Sequence, residues 1–212
     1  MPQAKGLDVR VHYRPSHNGL HVLADSTGIK FLGEGEWKTK KHGAERRLQW
    51  RKVHLGIDAE TLQIRAIVVT TNEVGDSPVA AELLSQIQSH EKLASFTGDG
   101  AYDTQDVHEA CHNRGAISII PPRKGARRRK GLAFAHRNEA VEACKRLGRV
   151  IWKRWSGYHR RSLVETKMNC FKRLCEKVMA RTFERQVAEL NIRASILNRF
   201  TELGTPQTVA VA

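Results

Sequence analysis

The sequence predicts an α/β fold, in which a mixed sheet of three antiparallel strands is followed by strands joined through crossover helices and then by a long C-terminal helical region. Three observations predict it. Apolar residues alternate in three successive runs before residue 72. Helical and strand-like runs then take turns as far as about residue 120. From Ser162 to about Leu203 the apolar spacing is helical almost throughout.

The run LHVLADSTGIK, Leu20 to Lys30, reads as a strand ending in a turn, since Leu20, Val22 and Ala24 alternate with His21, Leu23 and Asp25. A second alternating run lies around Trp50 to Asp58, where Asp58 opens a turn. The third, LQIRAIVVTTN from Leu62 to Asn72, is β-branched and mostly apolar, as a buried strand would be. Ser77 to Gln88 then reads as a helix with Ser77 as N-cap and Pro78 at its first position. KLASFTGDGAYD returns to strand and ends at Gly98-Asp99-Gly100. TQDVHEACHNRG is a short helix closed by Gly115. AISIIPPR is a strand stopped by Pro121 and Pro122, and RNEAVEACKRLG is helical. The order β-β-β-α-β-α-β, then helices, fits an RNase H-like fold, a string that other α/β folds share.

The chain of 212 residues is of ordinary single-domain size. Its 36 Lys and Arg against 22 Asp and Glu give a net charge of +14. Such an excess points to a polyanionic partner, most simply nucleic acid; the alternative is a basic protein with no such partner. The cations cluster in PPRKGARRRKG (Pro121 to Gly131), in Trp37 to Lys52 and in Lys145 to Lys177. No run of about 18 apolar residues is present to span a membrane, and the N-terminus lacks a signal-peptide pattern, so the expected compartment is the cytoplasm. Cys111, Cys144, Cys170 and Cys175 include no C-x2-C pair, which argues against a zinc site.

The chemistry concentrates in YHRRSLVETKMNCFK, Tyr158 to Lys172, where the single acid Glu165 stands among cations. On one continuous helix Tyr158, Arg161, Glu165 and Lys172 would share a stripe about 60° wide, bordering the apolar face of Val164, Met168, Phe171, Cys175 and Val178. Arg161 and Glu165 at i, i+4 would form an ion pair. Asp25 and Asp99 each end a predicted strand. Each also suits a turn, in DSTG and in GDG. Glycines on both sides of Asp99 would let a ligand approach the backbone closely. In the predicted fold the first and fourth strands end side by side, and a helix behind them could deliver Glu165. Three clustered carboxylates call for a neutralising cation, and hard oxygen donors select Mg2+ or Mn2+. Two such ions about 4 Å apart suit in-line displacement at phosphorus. Arg161 and Lys172 would hold phosphates of the bound strand.

Four further sites are expected to play smaller parts. Asp103 reads as an N-cap, with metal binding as the alternative. His54 shares the polar face of its strand with Lys52 and reads as half-exposed, with facing the site as the alternative. Trp152 and Trp155 would stack on a base or anchor a helix. Arg127, Arg128, Arg129 and Lys130 would contact DNA backbone without reading sequence, or else form a solvated loop.

These residues resemble the catalytic domain of bacterial insertion-sequence transposases of the DDE class. The Tyr-x2-Arg-x3-Glu-x6-Lys signature of that family is complete in Tyr158, Arg161, Glu165 and Lys172, and its two aspartates resemble Asp25 in VLADSTGIK and Asp99 in TGDGAYDT. The similarity runs from about Gly6 to about Phe200. It implies an RNase H-like fold, Asp25, Asp99 and Glu165 as ligands of two Mg2+ or Mn2+ ions, nicking at the element's ends and strand transfer to target DNA. The partners it implies are DNA, as element ends and as target, with a homodimer among the expected assemblies. Residues 20–203 would be the catalytic domain, 1–19 an N-terminal extension and 204–212 a disordered tail. Members of the family usually carry a further N-terminal end-recognition region, so a truncated chain is also expected; the alternative function is a non-catalytic DNA-binding remnant.

Overall fold

The computed structural model describes residues 11–14, 16, 19–31, 50–174 and 176–204. Most of the expected N-terminal extension, the tail after Gly204, Cys175 and the basic run from Trp37 to Gln49 lie outside these residues. Among the described residues the chain forms six strands and six α-helices. The strands are β1 (Leu20–Phe31), β2 (Trp50–Asp58), β3 (Ile64–Thr71), β4 (Leu93–Thr97), β5 (Ile117–Ile119) and β6 (Lys177–Val178). The helices are α1 (Ala80–Ser85), α2 (Gln105–Asn113), α3 (Ala135–Leu147), α4 (Arg149–Trp155), α5 (Ser162–Leu174) and α6 (Phe183–Leu203).

The sheet order is β3-β2-β1-β4-β5. β1, β2 and β3 form an antiparallel meander, while β4 and β5 run parallel to β1. This mixed sheet is the RNase H-like arrangement the sequence predicted. Alternation along β1 divides the core in two, because successive side chains leave a strand on opposite faces. Leu20, Val22 and Ala24 pack with Leu83, Leu84 and Val107 from α1 and α2. Leu23 and Ile29 face the other way and pack with Val164, Met168 and Phe171 of α5 and Leu190, Ala194 and Leu197 of α6. The sheet is thus covered by helices on both faces.

Two helical expectations change. The segment at Ser77 begins as a 3-10 turn, Ser77–Val79, before α1, and its N-cap position is Asp76 with no side-chain cap bond. The C-terminal region is two helices rather than one: α5 stops at Leu174, and Lys177 and Val178 pair with Lys30 and Phe31 of β1. Val178 is fully buried there, so sheet pairing and burial override local helical spacing. α4 was not separated from its neighbours in the sequence; Gly148, with φ of 84°, divides it from α3.

Candidate active site

Asp25 stands in the middle of β1 rather than at its end. β2 pairs with β1 from Val22 to Lys30, so Ser26, Thr27 and Gly28 stay in the ladder and DSTG forms no turn. The other flank of β1 makes the opening. β4 pairs there only from Leu20 to Leu23, and β6 joins only at Lys30. Asp25 lies on the stretch between, which no described strand covers.

The last rung of β4 sets Thr97 beside Leu23. Asp99, two residues on and still extended, lies near enough for its charge to act on Asp25. Its Oδ1 also accepts the Ala101 N–H at 2.8 Å and caps the 3-10 turn Gly100–Tyr102, so the turn role expected of GDG is present too. Of the two flanking glycines, Gly98 is demanded by packing. A Cβ on Gly98 would fall 2.6 Å from Cδ2 of Tyr102, whose fully buried ring occupies that space.

Glu165 arrives on the first turn of α5. Gly157, in the left-handed region at φ 73°, turns the chain out of α4; Tyr158–Arg161 then winds as a 3-10 segment before α5 begins. The four-residue stripe therefore does not lie on one α-helix: Tyr158 and Arg161 precede it, and only Glu165 and Lys172 are on it. The Arg161–Glu165 pair nonetheless forms, with Nη1 donating to Oε1 at 2.5 Å, while Nη2 donates to Asp25 Oδ2 at 3.0 Å. Arg161 thus ties a strand residue to a helix residue 140 positions later in the chain.

Burial raises the pKa of Asp25 above its ordinary value. The Ser26 N–H and Arg161 oppose that shift, and the charges of Asp99 and Glu165 add to it. Tyr158 is raised by burial first and then by Asp99, Asp25 and Glu165, against Arg161. Two different groups therefore feel the same acids, which marks a shared electrostatic neighbourhood. The Asp25 side chain is 16% exposed and that of Glu165 55%, so the cluster opens to solvent on the helix side.

An all-carboxylate donor set fits Mg2+ or Mn2+ chemically, and burial together with the charges of Asp99 and Glu165 works against the ionised form of Asp25. Among the described residues no three acidic, His or Cys side chains stand close enough to hold one ion as they lie. The Arg161 guanidinium takes the place between Asp25 and Glu165.

Lys172 is half-buried near the end of α5, about 10 Å along the helix from Glu165 at 1.5 Å per residue. Arg127, Arg128, Arg129 and Lys130 are exposed on the loop after β5. That loop reaches the turn after Asp99, where the Arg123 side chain donates to Gly100 O at 3.3 Å and Ala101 O at 3.4 Å. Trp152 is buried and packs 5.8 Å from the Tyr158 ring, as an anchor; Trp155 is exposed.

Two smaller expectations are overturned. Asp103 is not the N-cap. Thr104 occupies the N-cap position of α2, and the buried Asp103 carboxylate is engaged by Arg137, His108 and the Arg123 N–H. His54 is fully buried, bonded through Nε2 to Thr70 Oγ1 at 3.0 Å and facing Asp76 through Nδ1 at 3.3 Å.

Asp76 was missed by sequence reasoning. It receives Lys52 Nζ at 2.9 Å and bonds Ser26, the neighbour of Asp25, from the opposite face of β1. Burial works against its charge, yet His54, Ser26 and Lys52 hold its pKa well below the usual carboxylate range. Its partners lie more than 20 residues away in the chain, and GDSP reads locally as a cap. The mixed sheet order agrees with the family comparison: residues 16–199 fit the family model for the transposase DDE domain, and the chain belongs to that family.

Proposed function

We propose that this domain cleaves and joins DNA strands at the ends of an insertion sequence. Asp25, Asp99 and Glu165 would together hold two Mg2+ or Mn2+ ions. The observation that supports this best is the Arg161 bridge between Asp25 and Glu165, set beside the position where β4 releases Asp99. Such ions, when bound, supply Lewis-acid stabilisation of charge on the attacking and leaving oxygens.

The chain's own residues have separate tasks. Asp25 is held on a rigid central strand, and its partial burial excludes water from one side of the centre. Asp99 is fixed by its bond to Ala101 N–H. Glu165 lies on the solvent side, paired with Arg161. Arg161 holds the excess negative charge of the acids and, with DNA bound, turns its fork to a phosphate. Tyr158 lines the approach beside Arg161, Lys172 holds a phosphate further along the strand, and Arg127, Arg128, Arg129 and Lys130 follow the backbone without reading bases.

The test is nicking of a plasmid carrying the element's terminal repeats, with Mg2+ or Mn2+. The parent should nick and then join strands. Asp25→Ala, Asp99→Ala and Glu165→Gln should each abolish nicking and leave non-specific DNA binding largely intact. Cutting by all three at the parental rate would remove the reading.

A further inference from the structure

Asp103 and the backbone of the basic loop make a network that the cutting chemistry does not use. Asp103 Oδ1 accepts Arg137 Nε at 2.6 Å and His108 Nε2 at 3.1 Å; Oδ2 accepts the Arg123 N–H at 3.1 Å and Arg137 Nη2 at 3.3 Å. With Nε2 donating to Asp103, His108 Nδ1 accepts the Ser118 hydroxyl of β5 at 2.9 Å. Arg137 reaches on through Nη1 to the Arg127 carbonyl at 2.8 Å. Next along the helix, Asn138 grips the loop again. Its Oδ1 accepts the Arg129 N–H at 2.8 Å and its Nδ2 donates to the Arg129 carbonyl at 2.7 Å. Arg149 donates to the Pro122 carbonyl at the loop's start.

The pattern has a direction. Backbone groups of Pro122, Arg123, Arg127 and Arg129 are tied inward, while the side chains of Arg127, Arg128 and Lys130 stay exposed. A run of like charges in a loop repels itself and would ordinarily be loose. Here a buried carboxylate four residues after Asp99 anchors it, through the same turn that Asp99 caps.

We infer that Asp103, Arg137 and Asn138 preform the Arg123–Lys130 loop as a cradle for the DNA sugar–phosphate backbone, with Asp103 the positioning residue that locks the cradle to the turn carrying Asp99. The inference rests on the DNA-cleaving reading above and deepens it. The cradle bears its charges before DNA arrives, so the ordering cost of the loop is met in folding rather than in binding. Phosphates held there stand in fixed relation to the second acid.

The experiment is binding of a fluorescent 30-base-pair duplex by the full chain at a series of salt concentrations. Removing charge and removing preorganisation have different signatures. The combined variant Arg127→Ala, Arg128→Ala, Lys130→Ala neutralises fewer phosphates, so the slope of log K against log salt flattens by about 0.9 for each phosphate left unneutralised. Asn138→Ala removes no charge. It should weaken binding about tenfold along a line parallel to the parent, because the loop must now be ordered on binding. Arg137→Lys keeps charge but breaks the fork to Asp103 and Arg127, and should shift in the same parallel way. Circular dichroism verifies that each variant is folded. If the charge-removal variant binds with parental affinity and slope, the loop does not hold DNA and the reading of these residues fails. If that variant flattens the slope but folded Asn138→Ala binds as the parent does, DNA binding by the loop stands and the cradle inference is overturned.

Discussion

Gly98→Ala should destabilise the fold through one ring. Gly98 is buried and its φ lies outside the left-handed region, so alanine is permitted by its backbone and excluded by its surroundings. The new Cβ would sit 2.6 Å from Tyr102 Cδ2, 2.8 Å from Cγ and 3.2 Å from Cβ. The ring cannot retreat easily: it is fully buried and meets Phe96 edge-on, with centroids 5.6 Å apart and planes at 72°. Overpacking of this kind costs about 1–3 kcal/mol. At this chain length that lowers Tm by about 2–12 °C. Because Asp99 is the next residue, a displacement of about 1 Å there should also reduce nicking on the order of 100-fold. The thermal assay is a double-mutant cycle followed by circular dichroism. In a Tyr102→Ala background the close ring atoms are gone, and Gly98→Ala should cost less than about 0.5 kcal/mol. Equal cost with and without the ring would refute the packing account.

Three further outcomes follow from the same structure. Burial raises Asp25 above its usual pKa, so the folded chain keeps that proton to higher pH than the unfolded chain does. Stability associated with protonated Asp25 is therefore lost as pH climbs from about 4 through the raised value. In EDTA, the Tm of Asp25→Asn should gain on the parent across that window; a gain by the parent would contradict the shift. Asn198→Leu should lower stability by about 1–3 kcal/mol in urea denaturation, since buried Asn198 accepts the Ile64 N–H at 2.7 Å and donates to the Ile64 carbonyl at 2.8 Å. Burial pushes the Cys111 thiol up to about 12, so it should resist a thiol reagent at pH 8 until the chain unfolds, while half-exposed Cys144 and Cys170 react first.

Much of the fold was legible because its signals are local. β2 was located by alternation around Trp50 to Asp58, and Gly115 and Gly148 mark the ends of α2 and α3 as their positive φ requires. The i, i+4 spacing of Arg161 and Glu165 pointed to their ion pair although the segment is only partly α-helical; a 3-10 turn keeps Arg161 within reach of Glu165. What stayed hidden is long-range. The turn propensity of DSTG is overridden by continuous pairing with β2, and the open edge at Asp25 depends on where β4 leaves the sheet. β6 is only two residues long and exists because β1 extends to meet it. Asp103 looked like a cap because Arg137, which donates to it at 2.6 Å, lies 34 residues away.

The most direct measurement of the central claim is Mn2+ titration by electron paramagnetic resonance on the DNA-free protein. The parent should take up Mn2+ at a saturable site. Asp25→Ala, Asp99→Ala and Glu165→Gln should each weaken that uptake at least about tenfold, as the loss of one ligand from a shared set requires. Parental Mn2+ affinity in any one of the three, with its fold intact, would show that the acid does not share a centre with the other two.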